Sequence, residues 1–218
     1  MKILIACEFS GTVRNAFSAL GHDVTSCDLL PSETPGKHYQ GDVTDILDDG
    51  WDLMVAHPPC TYITVSGLHW NKRRPERALE TEKALEFVSI LLNAPIPRIA
   101  LENPVGCIST CIRKPDQIIQ PYDFGHSASK KTCLWLKNLP PLKHTTYADP
   151  RWVCCGIPLA EGVGKYGCPC CQGDKKPLPR WDNQTDSGQN KLGPSADRWA
   201  LRSLTYPGIA SAMASQWG

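Results

Sequence analysis

The chain has 218 residues, and its 23 Lys and Arg against 22 Asp and Glu give a formal net charge of +1. With 41% hydrophobic and 21% charged residues, its composition is that of a globular domain and excludes the disordered and fibrous classes. No apolar stretch approaches the roughly 18 residues needed to cross a bilayer, and the first residues lack the long apolar region of a signal peptide. We therefore expect a cytoplasmic protein without membrane contact, which binds polyanions only through local basic patches.

Apolar periodicity predicts the order of the first elements. Residues 2–7 form an apolar run, and the segment after them has apolar residues at helical spacing up to Gly21. This pattern predicts a strand, a turn and a helix. Later patterns predict, in chain order, a strand at 22–30 that ends near Asp28, a buried strand at 51–57, an amphipathic helix at 74–94 and a buried strand at 97–103. Strands that alternate with helices indicate an α/β fold with a parallel sheet, whose ligands collect at the carboxyl ends of the strands.

The second half of the chain has a different composition. Pro, Gly and polar residues dominate beyond residue 104, although 132–139 predicts one more strand. Two short helical patterns close the chain and are separated at Pro207. We predict three parts: a core at 1–142, a Cys-rich insertion at 143–197 and a C-terminal helical segment at 198–218 that returns to the core.

Cys60 is the first candidate for chemistry. It directly follows the predicted strand at 51–57, behind Pro58 and Pro59. Two prolines fix φ in this turn, so the side chain after them is held rigidly at the carboxyl edge of the sheet. A thiolate there is a candidate covalent nucleophile, provided that its surroundings are partly exposed and electropositive. A small packed core residue is the structural alternative.

Glu102 is the second candidate, because it ends the next predicted strand. Neighbouring strands lie about 4.8 Å apart, so the Cys60 thiol and the Glu102 carboxyl are expected to flank one ligand. Desolvation at the end of an apolar strand favours a neutral carboxyl, which suits a proton donor. A helix cap or a salt bridge is the structural alternative for this residue.

These motifs occur in the order of the cytosine 5-methyltransferase family, which the chain resembles. The order is Phe9-Ser10-Gly11, then Pro58-Pro59-Cys60, then Glu102-Asn103. The resemblance implies a Rossmann-like fold that binds S-adenosylmethionine. It also implies that Cys60 adds to carbon 6 of cytosine while Glu102 holds ring nitrogen 3. The whole sequence also resembles small methylase-like proteins of bacteriophages.

The resemblance also assigns the remaining contacts. It places Asp28 on the ribose of the cofactor and Asp42 on the adenine, and it makes Asn103 a substrate contact. The implied cofactor residues are Phe9, Ser10, Gly11, Thr12, Asp28, Asp42 and Pro58. Lys130 and Lys131 are a rough counterpart of the paired arginines that hold the base and its phosphate in the family.

The chain departs from the family at several positions. His57 stands where the family usually has glycine, Thr61 replaces a glutamine and Pro104 replaces a valine. The large target-recognition domain of the family has no counterpart here. We therefore expect methyl transfer to cytosine in DNA, with a free cytosine nucleotide or RNA as alternative substrates. A catalytically silent nucleic-acid-binding module is the third possibility.

Local basic and aromatic residues are the candidates for contacting nucleic acid. The basic patches are Lys72, Arg73, Arg74 and Arg77, then Arg113 and Lys114, then Lys130 and Lys131. Since a base in a duplex must be flipped out to be reached, a tryptophan could fill the gap that it leaves. The candidates are Trp70, Trp152 and Trp181. Solvated charge and core packing are the structural alternatives for these residues.

The cysteines suggest a metal. Five of the 11 crowd into residues 154–171, and an odd total without an export signal argues against disulfides. We predict a structural zinc site with the ligands Cys154, Cys155, Cys168 and Cys171. Adjacent cysteines rarely bind one metal together, so His144 or Cys170 is an alternative for one position. Such a metal would stabilise a segment that has little apolar periodicity.

Overall fold

The computed structural model describes residues 1–160, 175–195 and 198–218, apart from the side chain of Trp199. The chain divides into two compact units. Unit 1 comprises Met1–Ile119, Lys131–Lys143 and Ile209–Gly218, and unit 2 comprises Gln120–Lys130 and His144–Gly208. Residues 120–130, which the sequence assigns to the core, thus group with the second unit. No helix in the described part of the chain is long and apolar enough to cross a membrane.

Unit 1 contains a seven-stranded sheet. Its strands are β1 (Lys2–Ala6), β2 (Asp23–Asp28), β3 (His38–Gln40), β4 (Leu53–Ala56), β5 (Arg98–Pro104), β6 (Gln117–Ile119) and β7 (Thr132–Lys137). They lie in the order β3-β2-β1-β4-β5-β7-β6. The first five strands of this order are parallel, and β7 runs antiparallel to both β5 and β6. The predicted α/β class with a mainly parallel sheet is confirmed.

Six α-helices are described. They are α1 (Thr12–Ser18), α2 (Val65–Leu68), α3 (Pro75–Leu92), α4 (Ile108–Cys111), α5 (Arg198–Ser203) and α6 (Pro207–Trp217). The predicted helices before Gly21 and at 74–94 correspond to α1 and α3. The predicted break at Pro207 is the start of α6, where a missing backbone amide costs no helical hydrogen bond.

The middle of the sheet is fully buried. Ile3 to Ala6 in β1 and Leu53 to Ala56 in β4 have no exposed surface. Parallel strands covered on both faces read as continuous apolar runs, which is why the sequence shows these two strands clearly. Trp135 of β7 and Trp217 of α6 are the largest fully buried side chains of this unit.

The direction in which the sheet is built reverses between β1 and β4. From β1 the chain adds β2 and β3 on one side, then crosses back and adds β4 and β5 on the other. The carboxyl ends of β1 and β4 therefore flank a topological switch point, where open α/β sheets bind their ligands. The loops that follow β1, β2 and β4 meet around this point.

Unit 2 has a smaller sheet with the strands β8 (Arg151–Cys154), β9 (Ile157–Pro158) and β10 (Leu178–Arg180), in the order β10-β8-β9. Beside it, the rings of Tyr122 and Trp181 stack with centroids 4.0 Å apart and an interplanar angle of 9°. Trp181 is buried, and its indole N–H donates to the Ala148 carbonyl over 3.2 Å. Trp181 therefore packs inside unit 2 in this structure, which is the structural alternative for this tryptophan.

Candidate active site

The pairing of β4 with β5 brings together residues at the carboxyl ends of the two strands. Ala56 pairs with Leu101 in parallel register, and the next residues in the sequence are His57 and Glu102, respectively. His57 Nδ1 lies 2.9 Å from Glu102 Oε2. The two side chains are only 9% and 12% exposed, so this contact is largely screened from water. The backbone amide of His57 also donates to the Ala6 carbonyl, which fixes this residue against β1.

Asn103 ties the end of β5 to the Pro-Pro turn. Its side-chain amide donates to the Pro58 carbonyl over 2.8 Å, and the residue is only 2% exposed. Because Pro58 and Pro59 lack amide hydrogens and fix their own φ, this bond holds a turn that is already stiff. In the described part of the chain, Asn103 Oδ1 and His57 Nε2 are buried without a hydrogen-bond partner. Unpartnered buried polar atoms are rare and mark a place where a ligand can bind.

Cys60 is the first residue after this turn. Its carbonyl accepts hydrogen bonds from the amides of Ile63 and Thr64, at 3.2 and 3.1 Å, so the chain turns tightly behind it. The residue is partly exposed and packs against the hydrophobic core of unit 1. Cys60 therefore lies in a partly exposed position beyond β4, and its role as a nucleophile stays a prediction.

The loops that follow β4 and β5 are locked together. The Cys107 amide donates to the Ile63 carbonyl over 2.8 Å, and the Val65 amide donates to the Val105 carbonyl over 3.3 Å. Gly106 lies between these bonds, where a Cβ would collide with the carbonyl oxygen of Ile63. Only glycine allows this close approach, and the approach holds the Cys60 loop against the chain beyond Glu102.

Helix α3 supports the Cys60 loop from its other side. The Arg77 guanidinium donates to the Thr61 carbonyl over 2.7 Å and lies 4.8 Å from the centre of the Tyr62 ring. The Thr81 hydroxyl donates to the Tyr62 carbonyl over 2.8 Å. Arg77 had been grouped with a basic patch, yet its charged end is committed to the loop. The sequence gives no signal for this role, since only the tertiary fold brings α3 to the loop.

A cavity of about 260 Å³ opens beside this loop, at the carboxyl ends of β1 and β2. Its lining is mainly apolar, with two carboxylates at the residues predicted to bind a cofactor. The lining residues are Cys7, Cys27, Asp28, Leu29, Gly41, Asp42, Val43, Pro59 and Phe87. The amide and hydroxyl of Thr44 both donate to Asp42 and lower its pKa, so this carboxylate is ionised at neutral pH. Pro59, the neighbour of Cys60, closes the cavity on the side of the candidate nucleophile.

The remaining predicted cofactor residues shape the turn between β1 and α1. The Glu8 carboxylate accepts hydrogen bonds from the amides of Val13 and Arg14, and so caps the first turn of α1. Gly11 has a φ of 74°, and a Cβ there would collide with Thr34 Oγ1. Phe9, Ser10, Gly11, Thr12 and Pro58 are not among the residues that line the cavity.

Arg14 organises the loop after β2. Its buried guanidinium donates to the hydroxyls of Ser26 and Ser32, each over 3.0 Å, and to the carbonyls of Thr34 and Pro35, each over 2.9 Å. The sequence alone did not single out this residue, because an arginine at helical spacing looks like a solvent-exposed one. Its contacts set the course of the chain between Asp28 and Asp42.

The two thiols in the cavity wall are held in the neutral form. Burial, reinforced by the negative charge of Asp28, raises the pKa of Cys27 to about 12. The same two causes raise the pKa of Cys7 still further. Since a thiolate is the reactive species, neither side chain is a nucleophile at neutral pH.

A basic and aromatic surface lies on the chain just beyond the Cys60 loop. Trp70 is 39% exposed, and the guanidinium carbons of Arg73 and Arg74 lie 5.7 and 5.2 Å from the centre of its ring. Lys72 is also exposed. Among residues 1–160, 175–195 and 198–218, no carboxylate forms an ion pair with Lys72, Arg73 or Arg74. We call Trp70, Lys72, Arg73 and Arg74 the Trp70 surface.

Lys130 and Lys131 belong to different units. Lys130 is in unit 2, where its ammonium donates to the carbonyls of Arg202 and Leu204 over 3.0 and 3.4 Å. Lys131 is exposed immediately before β7 in unit 1. Their predicted role toward the substrate stays a prediction.

Only part of the predicted metal site falls in the described residues. The sulfurs of Cys154 and Cys155 lie 4.0 Å apart at the turn from β8 to β9, where Cys155 has a φ of 55°. His144 lies 3.8 Å from Asp123. Within the described ranges, no group of three or more His, Cys, Asp or Glu side chains could hold a metal ion. The other predicted positions, Cys168, Cys170 and Cys171, lie outside the described residues.

No protein-family profile and no curated protein matches the chain. Among solved structures, the chain is similar to a candidate DNA modification methyltransferase encoded within a prophage of E. coli, with 12% identity and a TM-score of 0.38. The similarity covers 77% of this chain and 64% of that one.

Proposed function

We propose that this protein transfers a methyl group from S-adenosylmethionine to carbon 5 of cytosine in DNA, with Cys60 as the covalent nucleophile. The observation that carries the proposal is the parallel pairing of β4 with β5, which sets the Cys60 loop and Glu102 at the same edge of the sheet, beside the cavity lined by Asp28 and Asp42. Support also comes from the strand order, since β3-β2-β1-β4-β5 begins like the 3-2-1-4-5-6 sheet of nucleotide-binding folds.

The cavity has the chemistry that an adenosine requires. Leu29, Val43 and Phe87 provide apolar surface for a base, and the Asp28 carboxylate can accept hydrogen bonds from ribose hydroxyls. Asp42 is ionised and can accept from an exocyclic amine. When bound, S-adenosylmethionine supplies an electrophilic methyl group. In this proposal Pro59 separates the cofactor cavity from the place of the cytosine ring.

The residues at the sheet edge would perform the remaining steps. The Cys60 thiolate forms a bond to carbon 6 of the cytosine, and Glu102 gives a proton to ring nitrogen 3, so that negative charge does not accumulate on the ring. This makes carbon 5 nucleophilic enough to accept the methyl group. Loss of the proton on carbon 5 to water then expels the Cys60 thiolate, and the proton on ring nitrogen 3 returns to Glu102. Asn103 holds the Pro58 turn, and so the thiol, in place.

The Trp70 surface favours a nucleic acid over a free nucleotide. Its three exposed cations lack ion-pair partners in the described part of the chain and are suited to backbone phosphates. An exposed tryptophan that carries two guanidinium groups can stack on a base. A free cytosine nucleotide and RNA are the alternative substrates, and a silent binding module is the alternative function.

We also propose that a structural zinc stabilises the Cys-rich segment, with Cys154, Cys155, Cys168 and Cys171 as ligands. The part of this site that the structure describes is the pair Cys154 and Cys155, whose sulfurs lie 4.0 Å apart. Elemental analysis of the reduced, folded protein should give about one zinc per chain. A metal-free folded sample would contradict this part of the proposal.

Replacing Cys60 by serine should abolish methyl transfer, because a hydroxyl is far less acidic and less nucleophilic than a thiol. Affinity for S-adenosylmethionine, measured by calorimetry, should stay within about threefold, since other residues line the cavity. Transfer of labelled methyl groups to duplex DNA, single-stranded DNA, RNA and dCMP measures the activity. Cys111→Ser, which changes an exposed thiol of the same unit, is the control and should retain activity. An active Cys60→Ser protein would exclude the covalent mechanism.

Asp28→Asn should weaken binding of S-adenosylmethionine about tenfold or more, which is the loss expected for hydrogen bonds to a charged acceptor. The amide is nearly isosteric, so the thermal stability of the protein should change little. Asp48→Asn removes an exposed carboxylate that does not line the cavity and should leave the affinity unchanged. Equal affinities for the wild type and Asp28→Asn would show that the cofactor binds elsewhere.

The pair of substitutions Arg73→Gln and Arg74→Gln should weaken DNA binding and make it less dependent on salt. The slope of log K against log salt concentration should fall by about 1 to 2, since each lost phosphate contact contributes about 0.9. Lys83→Gln on α3 is the control, because Lys83 pairs with Glu80 over 2.8 Å and should contribute little. Fluorescence anisotropy of a labelled oligonucleotide measures the DNA affinity and its dependence on salt. An unchanged slope would remove the Trp70 surface from the proposed interface.

A further inference from the structure

His57 is the unexplained residue of the candidate site. The related family usually has glycine at this position, so the family assigns it no role. In this chain the side chain of His57 is only 9% exposed, and its Nδ1 lies 2.9 Å from Glu102 Oε2. The contact occurs at the residue that is proposed to donate a proton to the substrate. A buried imidazole in contact with this carboxyl group is expected to affect how readily Glu102 gives up its proton.

The geometry limits where the protons can be. A carboxylate accepts hydrogen bonds only, so Nδ1 must carry a hydrogen when Glu102 is ionised. In the neutral imidazole Nε2 is then an unprotonated acceptor. Nε2 is buried without a hydrogen-bond partner among the described residues. A hydrogen on Nε2 would therefore have no described acceptor. Both observations favour the form of His57 that is protonated on Nδ1.

We propose that His57 is a positioning residue for Glu102, and that its Nδ1–H bond stabilises the carboxylate formed when Glu102 gives its proton to the substrate. The proposal rests on the proposed function. Before the transfer, Nδ1–H donates to a neutral carboxyl group. After it, ring nitrogen 3 holds the proton that left Glu102, and the same Nδ1–H donates to an anion.

The energetic consequence follows from the change of charge. A hydrogen bond to an ionised acceptor is roughly twice as strong as one to a neutral acceptor. The His57 bond is therefore stronger after proton transfer than before it, so it lowers the barrier and does not merely bind the ground state. It also fixes the orientation of the carboxyl group, because His57 directly follows β4 and Glu102 lies in β5, and the pairing of these strands fixes their register.

Single-turnover methyl transfer tests this role, with wild type, His57→Ala and His57→Asn compared on the preferred substrate. The alanine variant should be about 10- to 100-fold slower, the effect of one hydrogen bond to a charged group. The asparagine variant should recover most of the rate, because its side-chain amide can place an N–H near the position of Nδ1. Cofactor affinity should change less than threefold in both. His22→Ala, at the opposite end of β1, is the control for loss of a partly buried histidine and should behave as wild type.

A spectroscopic measurement keeps the inference testable even where a variant fails to fold. The ¹⁵N shifts of the His57 ring in the wild-type protein report which nitrogen carries hydrogen, and they require no substrate. The inference predicts a protonated Nδ1. An unprotonated Nδ1 would overturn it, as would a His57→Ala protein that transfers methyl groups at the wild-type rate. If the wild type transfers no methyl group to any substrate, the proposed function fails, whereas a protonated Nδ1 would still establish the His57–Glu102 donor bond.

Discussion

The parallel pairing of β4 with β5 is the constraint on which the rest of the site depends. Its register sets His57 opposite Glu102 and leaves no freedom to separate them, since both follow fully buried strand residues. The stiff Pro-Pro turn then holds Cys60 just beyond the same edge. A slip of one residue in this pairing would turn the side chains that follow to the other face of the sheet and dismantle the site.

Most of the polar groups near this edge stabilise loops and do not face a ligand. Glu8 caps α1, Arg14 fixes the chain after β2, and Arg77 holds the Cys60 loop. These bonds leave Asp28 and Asp42 as the carboxylates of the cavity. Burial raises the pKa of the Cys7 and Cys27 thiols, which disfavours the reactive thiolate form in the cavity wall. The side chains that order the loops are therefore different from those that line the cavity.

The sequence predicts the elements whose pattern reflects full burial, such as β1, β4 and β5. It fails for β3 and β6, because three residues are too few to show a period. It also fails for the strands of unit 2, where Trp181 packs on Tyr122 instead of on a periodic apolar face. The placement of the Cys60 loop and Glu102 at the same edge of the sheet could be expected from strand order alone. The contacts of His57, Arg77 and Arg14 could not, since each joins residues that are distant in sequence and depends on how elements pack.

The most direct test of the central claim is a mass spectrum of the protein after incubation with S-adenosylmethionine and DNA that contains 5-fluorocytosine. Fluorine cannot leave as a cation once the methyl group is on carbon 5, so the elimination step stalls and the thiol stays bonded to carbon 6. The proposal predicts a covalent adduct whose peptide map places the mass increase on Cys60. An adduct on another cysteine, or no adduct with DNA, RNA or nucleotide while cofactor binding is demonstrated separately, would contradict it.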